Sequence, residues 1–497
     1  MPERKRPGIA VGLARASIYG TYRTDKRLVD DVDVRVLVVR GGGCTAVLAV
    51  ADLCYLWPAT CLRVRDKLAG ALGVPRERVG IFTTQNHSAE FDPGDDRRLD
   101  AEKLDGAFLD CAREAAAQAR PVEIARVAAR PATGLTICRR LPLEGFGKFT
   151  VYYGYRLEDG RADASHVIKK ALASLSQGLP LQVRAHQVRT GAPGDFAVPP
   201  APLPVPEPLW ARPAEDDLVQ ALFFRALDGT PVGSVVRLAS HPIAANHLDM
   251  DWQSGDYPAY ARRRLEAEFG GRSLFLTGPC GNQCPPVGRK SLELARELGE
   301  QVAGTALAGL AGARWERGGP VAAVSPEVEL RVRGDYPASA GAAKEEMAAV
   351  EARIKELAAA GGPLPEIKRL SDRCEVLAYA AGGLLYDWSG IRAEGLPGGV
   401  FRHPLFAMRI GPSVIAGLPG EPFGAYSARL RAETIGDDLI VAEEANGWIS
   451  YLPTAAEWPL GGYEPNADFF EAGSEQVLIG AAGEAVRALM KSAAKES

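Results

Sequence analysis

Alternating apolar and polar residues predict the elements of the first part of the chain. Residues 34–39 and 45–50 are strand-like, and the three glycines between them predict a β-hairpin. Amphipathic patterns over 59–72 and 101–119 predict two helices, and the apolar run 79–83 predicts a buried strand. The order of strand, helix and strand indicates a βαβ unit at the start of the chain.

The rest of the chain continues this mixture of strands and helices. An Asp-Gly turn predicts a second hairpin from residues 218–226 and 232–239. Two helical stretches, broken by two glycines and a proline, predict a helical hairpin over 339–380. Further strands are predicted at 321–332, 405–410, 414–418 and 439–443, and further helices at 290–310 and 474–491. We therefore expect an α/β fold with mixed β-sheets and flanking helices.

The domain organisation follows from where this pattern is interrupted. A length of 497 residues exceeds the usual limit of one hydrophobic core, so subdomains are expected. The Pro-rich segment 190–216 predicts an extended linker segment rather than a regular element. We interpret residues 1–497 as a single α/β catalytic domain that contains this linker, with the helical hairpin 339–380 as a peripheral insertion.

Composition narrows the class of protein. With 46% hydrophobic and 24% charged residues, the chain is typical of soluble globular proteins, and a net charge of -4 does not favour a nucleic-acid partner. Since apolar runs stay below about 18 residues, we expect no integral membrane segment. The N-terminus lacks the apolar core of a signal peptide, which predicts a cytoplasmic protein. The eight scattered cysteines are expected to be reduced. The sequence does not define the oligomeric state, and a homo-oligomer is one of the alternatives.

Polar side chains that could carry chemistry follow several of the predicted strands. Gln85 and His87 come after strand 79–83, and His241 comes after strand 232–239. Ligands of α/β proteins bind at such strand ends, and a metal site can be assembled from separate loops. Each histidine alone is equally consistent with a structural, hydrogen-bonded role. Asp52, Cys280, Cys284 and Glu421 are further candidates near strand ends, and Asp256 at a helix start and Tyr451 in an aromatic loop are two more.

Several stretches, taken in order, resemble the neutral, non-lysosomal ceramidases, a family of metal-dependent amidases. They are RPGIAVGLA, VLAVADLCYL, IFTTQNHS, SHPIAAN with SGDYPAYARRRLE, FLTGPCGNQCPP, GLPGEPFGAYSARLR and GWISYLPTAAEWPLGGYE. The resemblance extends from about residue 8 to 490 of the sequence. It implies a neutral-ceramidase-like catalytic domain, without the Ig-like C-terminal domain of the larger ceramidases.

The resemblance also implies roles for individual residues. By position, His241, Glu421 and Tyr451 correspond to zinc ligands, whereas the family's first ligand histidine is Gln85 in this chain. The second histidine of that motif is His87, which lies near the substrate in the family. The family's loop aspartate is replaced by Asn282, and its catalytic serine by Cys284. Asp52 and Asp256 are candidates for orienting these groups or the substrate.

Glutamine is a weaker zinc ligand than histidine, and this leaves three interpretations open. His87 could complete a zinc site with His241, Glu421 and Tyr451. Another divalent metal could occupy a more oxygen-rich site. The metal could also be lost, so that the pocket works through Cys284 or only binds a ligand.

The first two interpretations predict a metal-dependent hydrolase that cleaves an amide (C–N) or ester bond of a small molecule with a zinc-activated water. Its catalytic residues would be His87, Cys284 and Tyr451. The alternative is a repurposed enzyme with non-hydrolytic or Cys284-dependent chemistry, or a non-catalytic ligand-binding homologue.

Overall fold

The computed structural model describes residues 8–22, 24–90, 99–181, 203–245, 250–382 and 398–492. Its helices are α1 (Pro58–Leu72), α2 (Ala101–Gln118), α3 (Ser165–Ser176), α4 (Asp256–Glu268), α5 (Leu292–Leu310), α6 (Ala340–Ala359), α7 (Leu364–Ala381), α8 (Gly424–Glu433), α9 (Tyr463–Asn466) and α10 (Ser474–Ser492).

The strands are, in chain order, β1 (Ala10–Ser17), β2 (Arg27–Leu28), β3 (Asp33–Gly41), β4 (Cys44–Ala51), β5 (Val79–Thr83), β6 (Arg120–Ala129), β7 (Ile137–Cys138), β8 (Arg140–Leu143), β9 (Gly147–Thr150), β10 (Arg156–Glu158), β11 (Arg161–Asp163), β12 (Arg212–Pro213), β13 (Val219–Ala226), β14 (Pro231–Leu238), β15 (Trp252–Gln253), β16 (Arg272–Thr277), β17 (Gln283–Cys284), β18 (Trp315–Arg317), β19 (Val321–Val324), β20 (Glu327–Arg331), β21 (Val400–Pro404), β22 (Phe406–Ile410), β23 (Ser413–Gly417), β24 (Glu421–Pro422), β25 (Leu439–Ala442) and β26 (Tyr451–Leu452).

Two mixed sheets carry the architecture. The larger has the order β16-β14-β13-β6-β1-β3-β4-β5, with β18 also paired to β6. Its edge pairs β14/β16 and β4/β5 are parallel, and the pairs between them are antiparallel. The smaller sheet has the order β19-β22-β23-β25, in which β23 and β25 are parallel. Parallel pairs place the carboxyl ends of their strands at a common edge, where loops can build a site.

Side-chain alternation along the strands explains why the sheets are covered on both faces. In β3, Val34, Val36 and Val38 pack in the cluster that contains α1 and α2, whereas Leu37 and Val39 pack in the cluster shared with the smaller sheet. Successive strand residues point to opposite faces, so a strand buried on both sides is apolar throughout.

The smaller sheet is divided in the same way. Ile415 of β23 faces the larger sheet, and its neighbours Val414 and Ala416 pack in the cluster that contains α7, α8 and α10. Helices α4 and α5 cover the β13, β14 and β16 part of the larger sheet. The result is four layers, with helices outside and the two sheets packed face to face.

Two glycines let the sheets approach each other closely. A Cβ atom on Gly80 of β5 would lie 2.6 Å from the ring of Phe406, and one on Gly417 of β23 would lie 2.6 Å from the ring of Phe82. The two rings themselves meet edge to face at 6.0 Å. Each aromatic ring therefore occupies the space that a glycine leaves open in the opposite sheet.

The structure confirms the predicted α/β class, with both hairpins and the βαβ unit formed by β4, α1 and β5. The prediction of a single strand over residues 321–332 is wrong. This stretch contains two strands, β19 and β20, in different sheets, because Pro326 lies between them and lacks the N–H that a continuous strand needs.

The remaining predictions on organisation concern the helical hairpin, the Pro-rich segment and membrane-spanning helices. Helices α6 and α7 form where the helical hairpin was predicted, and its status as an insertion stays a prediction. Of the Pro-rich segment, residues 190–202 lie outside the described residues. Within the described ranges, no helix is long and apolar enough to cross a membrane.

We expect Gly417→Ala to lower the free energy of unfolding by about 1–3 kcal/mol, because the added methyl group overpacks the contact with Phe82. Gly70→Ala is the matched control, since Gly70 is exposed within α1 and has open space around its Cα. It should raise the free energy of unfolding by about 0.4–1 kcal/mol. Thermal and urea unfolding measure both changes, and a Gly417→Ala protein as stable as the parent would contradict the close approach of the sheets.

Candidate active site

The loops that follow five strands of the two sheets meet at one edge of the molecule. Gln85 follows β5, His241 follows β14, and Cys280 follows β16 of the larger sheet. Glu421 follows β23 and Glu443 follows β25 of the smaller sheet. The site is therefore built across the junction between the sheets rather than within either one.

The His241 ring is fixed by two backbone carbonyls. Its Nδ1 lies 2.8 Å from the carbonyl oxygen of Cys280 and 2.9 Å from that of Gln283. Carbonyl oxygens only accept, so Nδ1 carries the proton and donates it to them. Nε2 then carries the lone pair. The ring is fully buried, and burial together with the nearby Arg139 cation lowers the pKa of His241 well below its usual value, which keeps the ring neutral.

The lone pair of His241 Nε2 faces a carboxylate oxygen. Nε2 lies 3.1 Å from Oε2 of Glu421. The other carboxylate oxygen of Glu421, Oε1, accepts a 2.8 Å hydrogen bond from the indole N–H of Trp448. Two acceptors at this distance repel unless a proton or a cation lies between them. Ligand atoms of a tetrahedral zinc ion are separated by roughly 3.3 Å, because each bond is about 2.0–2.1 Å long. The donor set thus fits a metal ion, and a proton on Glu421 is the alternative.

Glu421 and Tyr451 are brought together by two short parallel strands. β24 and β26 pair so that these two residues are direct neighbours. The Tyr451 hydroxyl hydrogen-bonds the Glu421 carboxylate, and its ring lies parallel to that of His241 with centroids 6.4 Å apart. Burial raises the pKa of both Glu421 and Tyr451. The three predicted ligands His241, Glu421 and Tyr451 are therefore in mutual contact.

His87 and Gln85 lie in the loop that follows β5. The His87 ring centroid is 5.6 Å from that of His241, and His87 Nδ1 lies 3.8 Å from the sulfur of Cys54. Gln85 is buried with a positive φ of 58°, and its Oε1 lies 3.3 Å from the sulfur of Cys280. Its Nε2 has no hydrogen-bond partner among the described residues. Gln85 thus contacts the thiol of Cys280 at the edge of the site.

The four predicted ligands do not form a closed metal site as they stand. In the described ranges, no three His, Cys, Asp or Glu side chains have the arrangement that holds a metal ion. His241 and Tyr451 both contact the Glu421 carboxylate, and the ring centroid of His87 lies 5.6 Å from that of His241.

The loop 278–284 carries two cysteines in different surroundings. Cys280 lies in the site, where its sulfur is 2.9 Å from Oε1 of Glu443 and 3.3 Å from His241 Nδ1. Cys284 belongs instead to the apolar cluster beside α3 and the helical hairpin, and its sulfur lies 3.9 Å from the carbonyl oxygen of Val151. Burial raises the pKa of the Cys284 thiol to about 12. These surroundings disfavour the thiolate that a nucleophile requires.

Asn282 joins this loop to the helix that follows Glu421. Its Oδ1 accepts a 2.9 Å hydrogen bond from the amide of Gly424, the first residue of α8, and its Nδ2 donates to Glu215 at 2.9 Å. A side chain on Gly424 would collide with Gln283, since a Cβ atom there would lie 2.2 Å from its Oε1. Asn282 therefore holds the backbone around Glu421.

Asp52 and Asp256 anchor the backbone around the site. Asp52 forms a two-pronged ion pair with Arg262 of α4 at 2.6 and 2.7 Å, which ties β4 to that helix. It reaches the site only through the hydroxyl of Thr84, at 3.3 Å. Asp256, at the start of α4, accepts a 2.8 Å hydrogen bond from Ser88, the residue after His87. Asp256 thus orients the His87 loop.

The sequence analysis missed Arg139, which is fully buried next to Tyr451. It donates to Glu464 at 2.8 Å and to the carbonyl oxygen of Gly281 at 2.6 Å, and its guanidinium lies 4.1 Å from the ring centroid of Tyr152. Its Nη1 has no hydrogen-bond partner in the part of the chain that the structure describes. The only signal in the sequence is a pair of arginines, 139 and 140, inside an apolar stretch.

Comparison with known proteins bears on the fold that holds these residues. No protein-family model and no curated protein matches the chain. Among solved structures, a ceramidase complexed with C2 matches with a TM-score of 0.62 and 16% identity over 98% of this chain and 76% of that one. A neutral ceramidase from Pseudomonas aeruginosa matches with a TM-score of 0.63 and 16% identity over 98% of this chain and 75% of that one. The resemblance expected from the sequence is confirmed in the architecture, and the chain has the neutral ceramidase fold.

Proposed function

We propose that the chain is a metal-dependent hydrolase that cleaves an amide or ester bond of a small molecule. The observation that carries the proposal is the pair of acceptors, His241 Nε2 and Glu421 Oε2, that face each other at 3.1 Å in a buried site. A divalent cation held by His241 and Glu421 would remove this repulsion. Zinc is the first choice because imidazole, carboxylate and phenolate are ligands that it accepts.

His241, Glu421, Tyr451 and, after a side-chain movement, His87 would hold the metal. Backbone carbonyls at Nδ1 of His241 are the partners that metal-binding histidines commonly use to fix their orientation. Zinc in such a site supplies Lewis acidity and lowers the pKa of water to about 7. Because Gln85 stands where the family has a ligand histidine, the site offers fewer imidazole ligands than a ceramidase does. The proposal therefore includes another divalent metal in place of zinc.

The residues around the proposed metal supply proton transfer and charge stabilisation. Tyr451 would act either as a ligand or as an oxyanion donor: burial raises its pKa, so a phenol that does not bind the metal keeps its proton and can donate a hydrogen bond to an oxyanion. The Arg139 cation, 5.6 Å from the Tyr451 ring centroid, stabilises negative charge that develops beside it. Where His87 stays outside the metal site, its imidazole would accept a proton and return it to the leaving group.

The substrate class follows from the fold and the chemistry together. Both solved structures named above are ceramidases, and ceramide contains an amide bond. We propose an N-acyl or ester compound as substrate, with ceramide as one member of the test panel. The cytoplasmic location expected from the sequence belongs to the same proposal.

We expect the metal-free full chain to bind about one equivalent of zinc, and His241→Ala and Glu421→Gln to weaken this binding about 100-fold or more, because each removes a ligand. Calorimetry and elemental analysis of the purified protein measure both. His166→Ala is the control, since His166 lies on α3, outside the site. Absence of metal from the parent, with no effect of either substitution on activity, would contradict the proposal.

Gln85→His should raise zinc affinity by about tenfold or more, because an imidazole replaces a neutral amide that binds zinc poorly. Histidine is also among the side chains that tolerate the positive φ at this position. Gln85→Leu, which adds no ligand, serves as the control in the same titration. Equal affinity of the histidine variant and the parent would mean that residue 85 does not face the metal.

We expect Cys284→Ala to hydrolyse a panel of N-acyl amines and esters, including a short-chain ceramide, at a rate within about threefold of the parent. The reason is that the buried thiol, with its pKa raised to about 12, is not a nucleophile near neutral pH. Loss of activity in a folded Cys284→Ala protein that still binds zinc would instead support Cys284-dependent chemistry.

A further inference from the structure

The buried carboxylate of Glu443 holds Cys280 at two points. Oε2 accepts a 2.8 Å hydrogen bond from the Cys280 amide, and Oε1 lies 2.9 Å from the Cys280 sulfur, which donates its proton. The backbone amide of Glu443 donates to the carbonyl oxygen of Thr277 at 2.9 Å. Glu443 therefore fixes both the backbone and the side chain of Cys280, and it is itself fixed to the end of β16.

Cys280 in turn fixes His241. The carbonyl oxygen of Cys280 accepts from His241 Nδ1 at 2.8 Å and from the amide of Gln283 at 2.7 Å. The Gln283 carbonyl oxygen is the second acceptor for Nδ1, at 2.9 Å. The position of Cys280 thus decides which nitrogen of His241 carries the proton. A chain of direct contacts runs from Glu443 through Cys280 to the imidazole whose Nε2 faces Glu421.

A purely structural role does not account for a carboxylate at this position. Glu443 is fully buried, and burial raises the pKa of its carboxyl group well above the usual value, because an ionised carboxylate is costly to bury. Glu421 and Glu444 lie close enough for their charges to add to that cost. An apolar residue would fill the same space without this cost, but it could not accept hydrogen bonds from Cys280.

We propose that Glu443 is a positioning residue that acts through Cys280 to hold His241 as the Nδ1–H tautomer, with Nε2 directed at the metal position. The use of this tautomer for metal binding rests on the function proposed above, whereas the tautomer itself does not. When a residue that orients a metal ligand through hydrogen bonds is replaced, the metal affinity typically falls 10- to 100-fold.

The test uses the full chain and two readouts. In metal-free protein labelled with 15N at its six histidines, the nitrogen shifts of His241 report its tautomer, with His241→Ala identifying the signal. Titration with zinc, followed by the visible spectrum of the cobalt-substituted protein, reports affinity and ligand geometry. We expect Glu443→Ala to mix the tautomers, to weaken zinc binding about 10- to 100-fold and to shift the cobalt bands.

Two variants separate positioning from charge. Glu443→Gln should stay within about threefold of the parent, because the amide oxygen accepts from the Cys280 amide and the amide N–H donates to its sulfur. Glu444 is a neighbouring buried carboxylate that accepts from the Thr83 hydroxyl at 3.5 Å. Because this contact does not involve Cys280, Glu444→Gln should leave the tautomer of His241 unchanged. If Glu443→Ala does not fold, Glu443→Asp keeps the carboxyl group but shortens its reach, and it should weaken zinc binding about tenfold.

The outcomes are distinguishable from failure of the proposed function. A parent that binds no zinc, with a tautomer that still changes in Glu443→Ala or Glu443→Asp, refutes the metallohydrolase and leaves the positioning role intact. An unchanged tautomer in both variants overturns the positioning role, whatever the metal result. Equal effects of Glu444→Gln and Glu443→Ala would also overturn it, because charge alone would then explain the change.

Discussion

The site depends on hydrogen bonds that join the ends of two different sheets. The amide of Glu443, after β25, donates to the carbonyl oxygen of Thr277, at the end of β16. Asn446 pairs with the backbone of β5, at 2.7 Å through its amide and 3.2 Å through its side-chain oxygen. These contacts fix the two strand edges against each other. They are the reason that His241, from the larger sheet, and Glu421, from the smaller, can lie 3.1 Å apart.

Much of the fold is predictable because local patterns and tertiary packing agree. The β3/β4 hairpin, for example, is apolar on both faces and turns at glycines, and both features are visible in the sequence. The proline at 326, which interrupts the strand, was also visible in the sequence, but the alternation of apolar and polar residues on both sides of it favoured one continuous strand. The pairing of the sheets was not predictable, because the contacts of Gly80 with Phe406 and of Gly417 with Phe82 join residues that are distant in sequence.

The site was less predictable because its chemistry depends on which of two similar residues faces inward. Cys280 and Cys284 are four residues apart, yet one lies beside His241 and the other in an apolar cluster. Arg139 could not be identified because arginine is normally exposed and gives no periodic signal. Its burial requires Glu464, and loss of one member of such a pair costs about 3–5 kcal/mol. Glu464 therefore allows a cation to stay buried beside Tyr451.

Strained backbone is concentrated where the site is built. Gln85, Asp256, Glu444 and Asn446 adopt φ values of 58, 51, 58 and 60°, and such conformations cost non-glycine residues about 1–3 kcal/mol each. These φ values persist because hydrogen bonds with the surrounding structure hold the residues in place. Asn446, for example, donates from its side chain to the carbonyl oxygen of Pro404 at 3.0 Å. The path of each loop is thus set by the fold and not by the side chain that it presents. A scaffold of this kind can keep its shape at 16% identity to a ceramidase while the side chains that its loops present change.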